Sequence, residues 1–409
     1  MRCGVLHRWL VVPLAAAVLY GGTPALASET AITAPAAQPP ALEKPVPLDS
    51  ASPPARKADV PAPVRDGKPQ ADVPAPARNG KPQPTETGEA HIALLLPLAS
   101  PAFAKHAEAV RSGFLAAAKV GGGKSLPVRA YPVGDDPKQA VETYIKALGA
   151  GARAVVGPLT RNGVTAVAES SAVLVPTLAL NAPEGRGTSE PEIYMLNLQV
   201  EAEARQVAQL AYQEGYRRAL TVNGDTPLLK RIHQAFVEEF RSLGGAHVSE
   251  QAFSNNPDIL GRIKQATVAS TPDMAFLALD VTRARLARAY LGAIAIFATS
   301  QVYPGNAGPL AGYDLAGVRF LDMPWLLQPD HAAVMAYPRP DYREAIELER
   351  FYALGIDAFR VVQALLAGRV DTTLDGVTGK LTLGRDRNFT RGLTAAQFTD
   401  GKLVVRDRP

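Results

Sequence analysis

The chain has one cysteine, Cys3, close to its start. Once an N-terminal leader is removed, the rest offers no disulfide, no thiol nucleophile and no thiolate metal site. Aromatic residues are scarce, at 6%, and do not gather with basic side chains. The formal charge of +4 loses two units when Arg2 and Arg8 go. That balance is too weak to argue for a nucleic-acid partner. Beyond the leader no apolar run is long enough to span a bilayer. The hydrolase signatures G-x-S-x-G, S-x-x-K and H-E-x-x-H are missing. Six histidines, His7, His91, His106, His233, His247 and His331, are scattered without the spacing of a zinc motif. Nothing nominates a nucleophile or a general base. The expectation is a protein that is not an enzyme, with no cofactor and no metal.

Two near-motifs fail on context. Gly121-Gly122-Gly123-Lys124-Ser125 resembles the end of a phosphate-binding loop, but it runs from a helix into a strand, the reverse of what phosphate binding needs. Gly149-Ala150-Gly151-Ala152-Arg153-Ala154 matches G-x-G-x-x-A and runs the same wrong way. Both read as turns after a helix.

Arg2 and Arg8, the apolar stretch from Trp9 to Leu19 and Ala25-Leu26-Ala27 form a secretory signal over 1–27 with an A-x-A cleavage site. Residues 28–89 are dense in proline and alanine and poor in large apolar residues, so they read as a disordered linker. It holds a tandem repeat, ADVPAPVRDGKPQ at 58–70 and ADVPAPARNGKPQ at 71–83. Cys3 precedes the apolar core and no cysteine stands at the cleavage site, so the expectation is export to the periplasm without a lipid anchor.

From His91 onward strands and helices alternate. His91 to Pro97 is a continuous apolar run, as strands buried on both faces are. Helices striped by Val110, Phe114 and Ala118, and by Val141, Tyr144, Ile145 and Leu148, flank a strand at Val128 to Val133. Gly151 to Asn181 then gives strand, helix and strand, with Thr160 placed to cap the helix. The pattern restarts near Glu201 and runs through strands at Arg218 to Val222, Val248 to Phe253, Met274 to Leu279 and Ile294 to Thr299. This is an α/β fold of two doubly wound parallel-sheet lobes with a cleft between them. The expected boundaries are 90–199 plus 328–370 for the first lobe and 200–327 plus 371–409 for the second. The last segment changes to antiparallel strands with Asp-Gly turn chemistry.

Ligands in such sheets bind at the carboxyl ends of the strands. Those ends nominate Ser100, Gly157, Thr160, Arg161, Asn162 and Asn181 from the first lobe, and Asp225, Asp280, Gln301 and Tyr303 from the second. Thr160 and the amides of its helix could hold a carboxylate; Asp280 could pair an amine across the cleft.

The element order, with HIALLLPL, VVGPLTRNGVTAVA, PTLALN, RFYALGIDAFRVVQALL and LDGVTGKLTLGRDRNF, resembles the LppC/LpoA penicillin-binding-protein activators. Their folded domain is similar to the type I periplasmic binding proteins, the class of the leucine/isoleucine/valine receptors. The resemblance covers about His91 to Val405. It implies a non-enzymatic periplasmic regulator that binds and activates a peptidoglycan synthase, a bifunctional penicillin-binding protein. The alternative is a solute receptor for an amino acid or similar small anion, with that molecule as a ligand in the cleft. Bulky Leu159 and Arg161 beside the anion site and few aromatic candidates favour the regulator.

Overall fold

The first strand, β1 (His91–Leu96), is buried along its whole length because helices cover both faces of its sheet. This computed structural model describes residues 88–122, 125–185, 190–305, 308–342, 345–369 and 373–406, all within one compact unit, Pro76–Pro409. The expected signal, the linker as far as residue 87, and Gly123 and Lys124 of the first near-motif lie outside the described residues.

The chain continues through α1 (Ala104–Val120), β2 (Val128–Pro132), α2 (Pro137–Gly149), β3 (Ala152–Val156), α3 (Arg161–Glu169), β4 (Thr177–Ala179) and β5 (Ile193–Met195). The five strands pair in parallel in the order β2-β1-β3-β4-β5. Alternate residues of β1 serve two cores, as the two-residue period of a strand requires. Ile92, Leu94 and Leu96 face α1, while Ala93 and Leu95 face α2 and α3, meeting Tyr144, Ala147, Val164 and Val167. The buried stripe of α2 is Ala140, Tyr144, Ala147 and Leu148. Ile145, expected inside, is 53% exposed. Tyr144, whose hydroxyl meets that of Thr177 inside the lobe at 2.7 Å, centres the buried face, and Ile145 stands about 100° round the helix from it.

The second lobe repeats the plan with α4 (Val200–Gln213), β6 (Arg218–Asn223), α5 (Pro227–Ser242), β7 (Ala246–Ala252), α6 (Pro257–Ser270), β8 (Met274–Ala278), α7 (Val281–Arg288), β9 (Ala295–Ala298), α8 (Gly308–Asp314) and β10 (Val318–Asp322). Its parallel strands run β10-β9-β8-β6-β7, so both lobes share one order with the switch between their first and third strands. Phe236 of α5 stacks on Phe240 of the same helix and on Phe276 of β8, filling one face of this sheet.

The remainder is divided between the lobes. Two short helices, α9 (Pro324–Leu327) and α10 (Ala332–Met335), lead to α11 (Ile346–Leu366). Helix α11 lies against α1 in the first core, where backbones nearly touch. A Cβ on Gly113 would sit 1.9 Å from the Tyr352 carbonyl oxygen, and one on Gly355 would sit 2.0 Å from that of Val110. Next come β11 (Leu374–Asp375), β12 (Lys380–Leu383) and β13 (Phe389–Gly392), a separate antiparallel sheet. Its Val377, Leu381 and Phe389 belong to the first lobe's core, whereas the sequence reading gave all of 371–409 to the second. The difference has a physical reason: alternate residues of this small sheet are apolar, and the open face nearest to them is that of α11. Only β14 (Thr394–Thr399) and β15 (Lys402–Arg406) join the second sheet, as an antiparallel hairpin on β10. Asp400 and Gly401 turn that hairpin with φ of 51° and 74°, the primed turn that an Asp-Gly pair favours. The chain therefore passes between lobes three times: after β5, after β10 and after β13.

Candidate functional site

The strand ends nominated from sequence are built mostly from caps and turns. Ser100 is buried, and its hydroxyl accepts from the Phe103 amide at 3.0 Å. Gly157 has φ +109°, and a Cβ there would lie 2.0 Å from the Leu95 carbonyl oxygen, so only glycine fits beside β1. Thr160 caps α3, accepting from the Gly163 amide at 3.3 Å. Asn162 is exposed at the start of that helix. In the second lobe Asp280 caps α7, accepting from the Arg283 amide at 3.0 Å, and pairs with the Arg283 guanidinium. Arg283 also reaches Asp225 at 3.4 Å. Asp280, expected to meet an amine, thus shares with Asp225 a cation from their own lobe. Gln301 lies in the 3-10 turn Ser300–Val302. Tyr303 stacks on Phe320 at 5.5 Å, and burial raises its phenol above the ordinary value.

Arg161 and Asn181 do come together. They line a cavity of about 250 Å³ between the lobes, with Leu159, Leu180, Leu198 and Phe351 on the first lobe's side. Helices α4 and α5 bring Glu201 and Arg231 to the opposite wall. The Arg231 Nε donates to Glu201 Oε1 at 2.7 Å. Burial alone would raise Glu201, but that hydrogen bond and the charges of Arg231 and Arg161 bring it below the ordinary value. The Asn181 amide is committed to its own backbone, donating to the Leu159 carbonyl at 3.0 Å and accepting from the Ala182 amide at 3.0 Å. So the cleft carries its own anion, already paired with a cation. Its volume is also below the roughly 300–1,000 Å³ of small-molecule sites.

A second constellation, at the junction of the lobes, was not foreseen from sequence. Glu203 of α4 is buried; the Ser300 amide donates to one of its carboxylate oxygens and the Ser300 hydroxyl to the other, at 3.0 Å. Burial, with the nearby Asp322 carboxylate, pushes Glu203 up to about 7. Asp322 ends β10 and is 3% exposed. It pairs with Arg350 of α11 at 2.7 Å, and Arg350 also donates to the Ser300 carbonyl at 3.3 Å. Arg391 of β13 is buried alongside, donating to the Thr378 carbonyl at 3.4 Å. Asp357 of α11 accepts from the amides of Val377 and Thr378 and from the Thr378 hydroxyl, at 3.0, 2.7 and 2.7 Å. Burial still holds Asp357 above the ordinary carboxylate value. The sequence did carry a signal, because Arg350 and Asp357 both stand in RFYALGIDAFRVVQALL and Thr378 in LDGVTGKL. These two motifs meet in space. Glu203, Ser300 and Asp322 had no such marker.

The family described as "LppC putative lipoprotein" matches residues 85–401. The chain belongs to the LppC family. Among curated relatives it is 28% identical over 327 residues to the penicillin-binding protein activator LpoA of Edwardsiella piscicida, covering 69% of this chain and 46% of the relative. It is 26% identical over 340 residues to the LpoA of Pectobacterium parmentieri, covering 70% and 49%. The chain thus spans about half the length of these LppC relatives. In structure it is similar to a protein of Chromobacterium violaceum described as a "putative branched-chain amino acid ABC transporter", with a TM-score of 0.66 and 39% identity over 75% of this chain and 99% of the other. The C-domain of Haemophilus influenzae LpoA, described as a regulator of PBP1A, has a TM-score of 0.64 at 23% identity, over 78% of this chain and all of that domain. Both likenesses agree with the two-lobed, periplasmic-binding-protein-like fold. No helix among the described residues is long and apolar enough to cross a membrane.

Proposed function

We propose that this LppC chain is a periplasmic regulator that binds and activates a bifunctional penicillin-binding protein through its surface, without an enzymatic step of its own. The observation that carries the reading is the Glu201 carboxylate inside the cleft, which is paired with Arg231 and feels the charge of Arg161, the arginine beside the expected anion site. A receptor would have to seat the carboxylate of its ligand in the same cavity as that one. Names of curated relatives as penicillin-binding protein activators support the same reading. The test is retention of a purified synthase ectodomain by the immobilised chain, followed by glycan polymerisation with and without it. Retention together with faster polymerisation is expected. Absence of both would remove the proposal.

One observation favours a solute receptor: the 39% identical structure described as a branched-chain amino acid ABC transporter protein. In that reading Thr160 and the amides at the start of α3 would hold a carboxylate. Thermal denaturation with each of the common amino acids separates the readings, because a ligand that binds only the native state raises the midpoint. The regulator reading expects no rise with any of them.

A further inference from the structure

We infer that the second lobe carries a divalent transition-metal site, suited to zinc, formed by His233, His247 and Glu250. The sequence reading treated these histidines as scattered. In the structure one donor atom from each of the three residues lies within 4.8 Å of the others.

The convergence follows from a flaw in the strand pairing. Strand β7 is the edge of the second sheet. Ala219 pairs with His247, but Leu220 pairs with Ser249 and Thr221 with Glu250, so β7 has one extra residue, Val248. A bulge of this kind re-aims the side chains that follow it. In a regular strand residues three apart point to opposite faces. Here the extra residue puts His247 and Glu250 on one face with Ala219 and Thr221. Helix α5 covers that face and adds His233 from above.

The rings are already aimed. The Nε2 atoms of His233 and His247 each lie 2.9 Å from the Thr221 hydroxyl, and Glu250 lies 3.8 Å from His233 Nε2. Arg241 donates to His247 Nδ1 at 3.2 Å. By bond counting His247 then donates from Nε2 to Thr221, and Thr221 donates to His233 Nε2, which turns a lone pair toward the cluster. Burial, more than any single charge, lowers both histidines below the ordinary value, and neutral imidazole is the form that binds metal. Tetrahedral zinc at about 2.0–2.1 Å from its ligands sets donor atoms about 3.4 Å apart. The three donors must therefore draw in by at most roughly 1.5 Å, which rotation of the exposed Glu250 and of the rings supplies. Two histidines and a glutamate leave a fourth position for water. Arg241 opposes the metal by its charge and by its hold on Nδ1. It is exposed, so it can swing away and let His247 carry its proton on Nδ1.

The experiment uses untagged chain stripped with chelator, titrated with zinc chloride by calorimetry and with cobalt chloride by visible absorption. A single zinc per chain, the intense visible bands of four-coordinate cobalt and a raised thermal midpoint are expected. His233→Gln and His247→Gln should each weaken zinc binding by more than about 100-fold, beyond the loss for an outer partner. Arg241→Gln should tighten it. Far-UV circular dichroism without metal shows that each variant is folded. Zinc affinity in the folded double variant H233Q/H247Q equal to that of the unaltered chain would overturn the site, as would the absence of saturable binding by the unaltered chain.

Discussion

Glu203 is an acid placed where its charged form is disfavoured. Its folded value of about 7, against an ordinary 4.5, means that the folded chain keeps a proton the unfolded chain has already released. Stability contributed by this residue is therefore present below about pH 4.5 and lost as the pH climbs toward 7. Glu203→Gln should remove that slope. Urea denaturation of both proteins across this range should show the variant gaining on the parent as pH rises, and a constant difference would show that Glu203 does not titrate there. Arg350 answers the opposite need, since Asp322 is buried beside it. Arg350→Met leaves that carboxylate without its cation and should cost about 3–5 kcal/mol, the usual penalty for breaking a buried pair, measured by the same denaturation at neutral pH.

At the scale of elements, the contact of α1 with α11 depends on two glycines whose added Cβ atoms would meet backbone carbonyls at 1.9 and 2.0 Å. Backbone cannot move aside as a side-chain tip can. Gly355→Ala should lower stability by about 3 kcal/mol, at the upper end of ordinary overpacking costs, while Gly149→Ala, with open space around it, should not. Elements of this kind were largely legible in the sequence. The apolar run of β1, the stripe Leu229, Ile232, Phe236 and Phe240 on α5, and the Asp400-Gly401 turn all report local periodicity or local backbone chemistry, which a linear chain displays. The cleft rim was less legible: caps such as Thr160 and Asp280 look the same in sequence whether they hold a ligand or only their own helix. The junction was invisible for a different reason. Glu203 meets Ser300 across 97 positions, and Arg350 of the other lobe reaches the same serine across another 50, distances over which no local pattern speaks. The histidine cluster escaped because it rests on a one-residue bulge that no periodicity announces.

For the whole molecule, the three crossings and the buried ions between them join the lobes through polar contacts that neither lobe satisfies alone. The two lobes should consequently lose structure in one transition. In a chain without residues 1–27, Trp325 is the remaining tryptophan, and it is buried in the first lobe's core. Its fluorescence and far-UV circular dichroism, which reports both lobes, should give the same midpoint in guanidinium. Two separated midpoints would mean that the junction does not couple the lobes.

The threefold crossing also sets a schedule for synthesis. The first lobe's core joins Ile92 and Leu94 to Tyr352 and Ile356, and to Leu381 and Phe389. While a chain emerges from its N-terminus, α1 follows β1 at once, but β3 and β4 have to wait for α11, which begins only at Ile346. The second lobe's parallel strands are complete by Asp322, before α11 of the first lobe has been made. The sheet made first is thus covered in full only late, and a growing chain carries a partly open apolar face until α11 arrives.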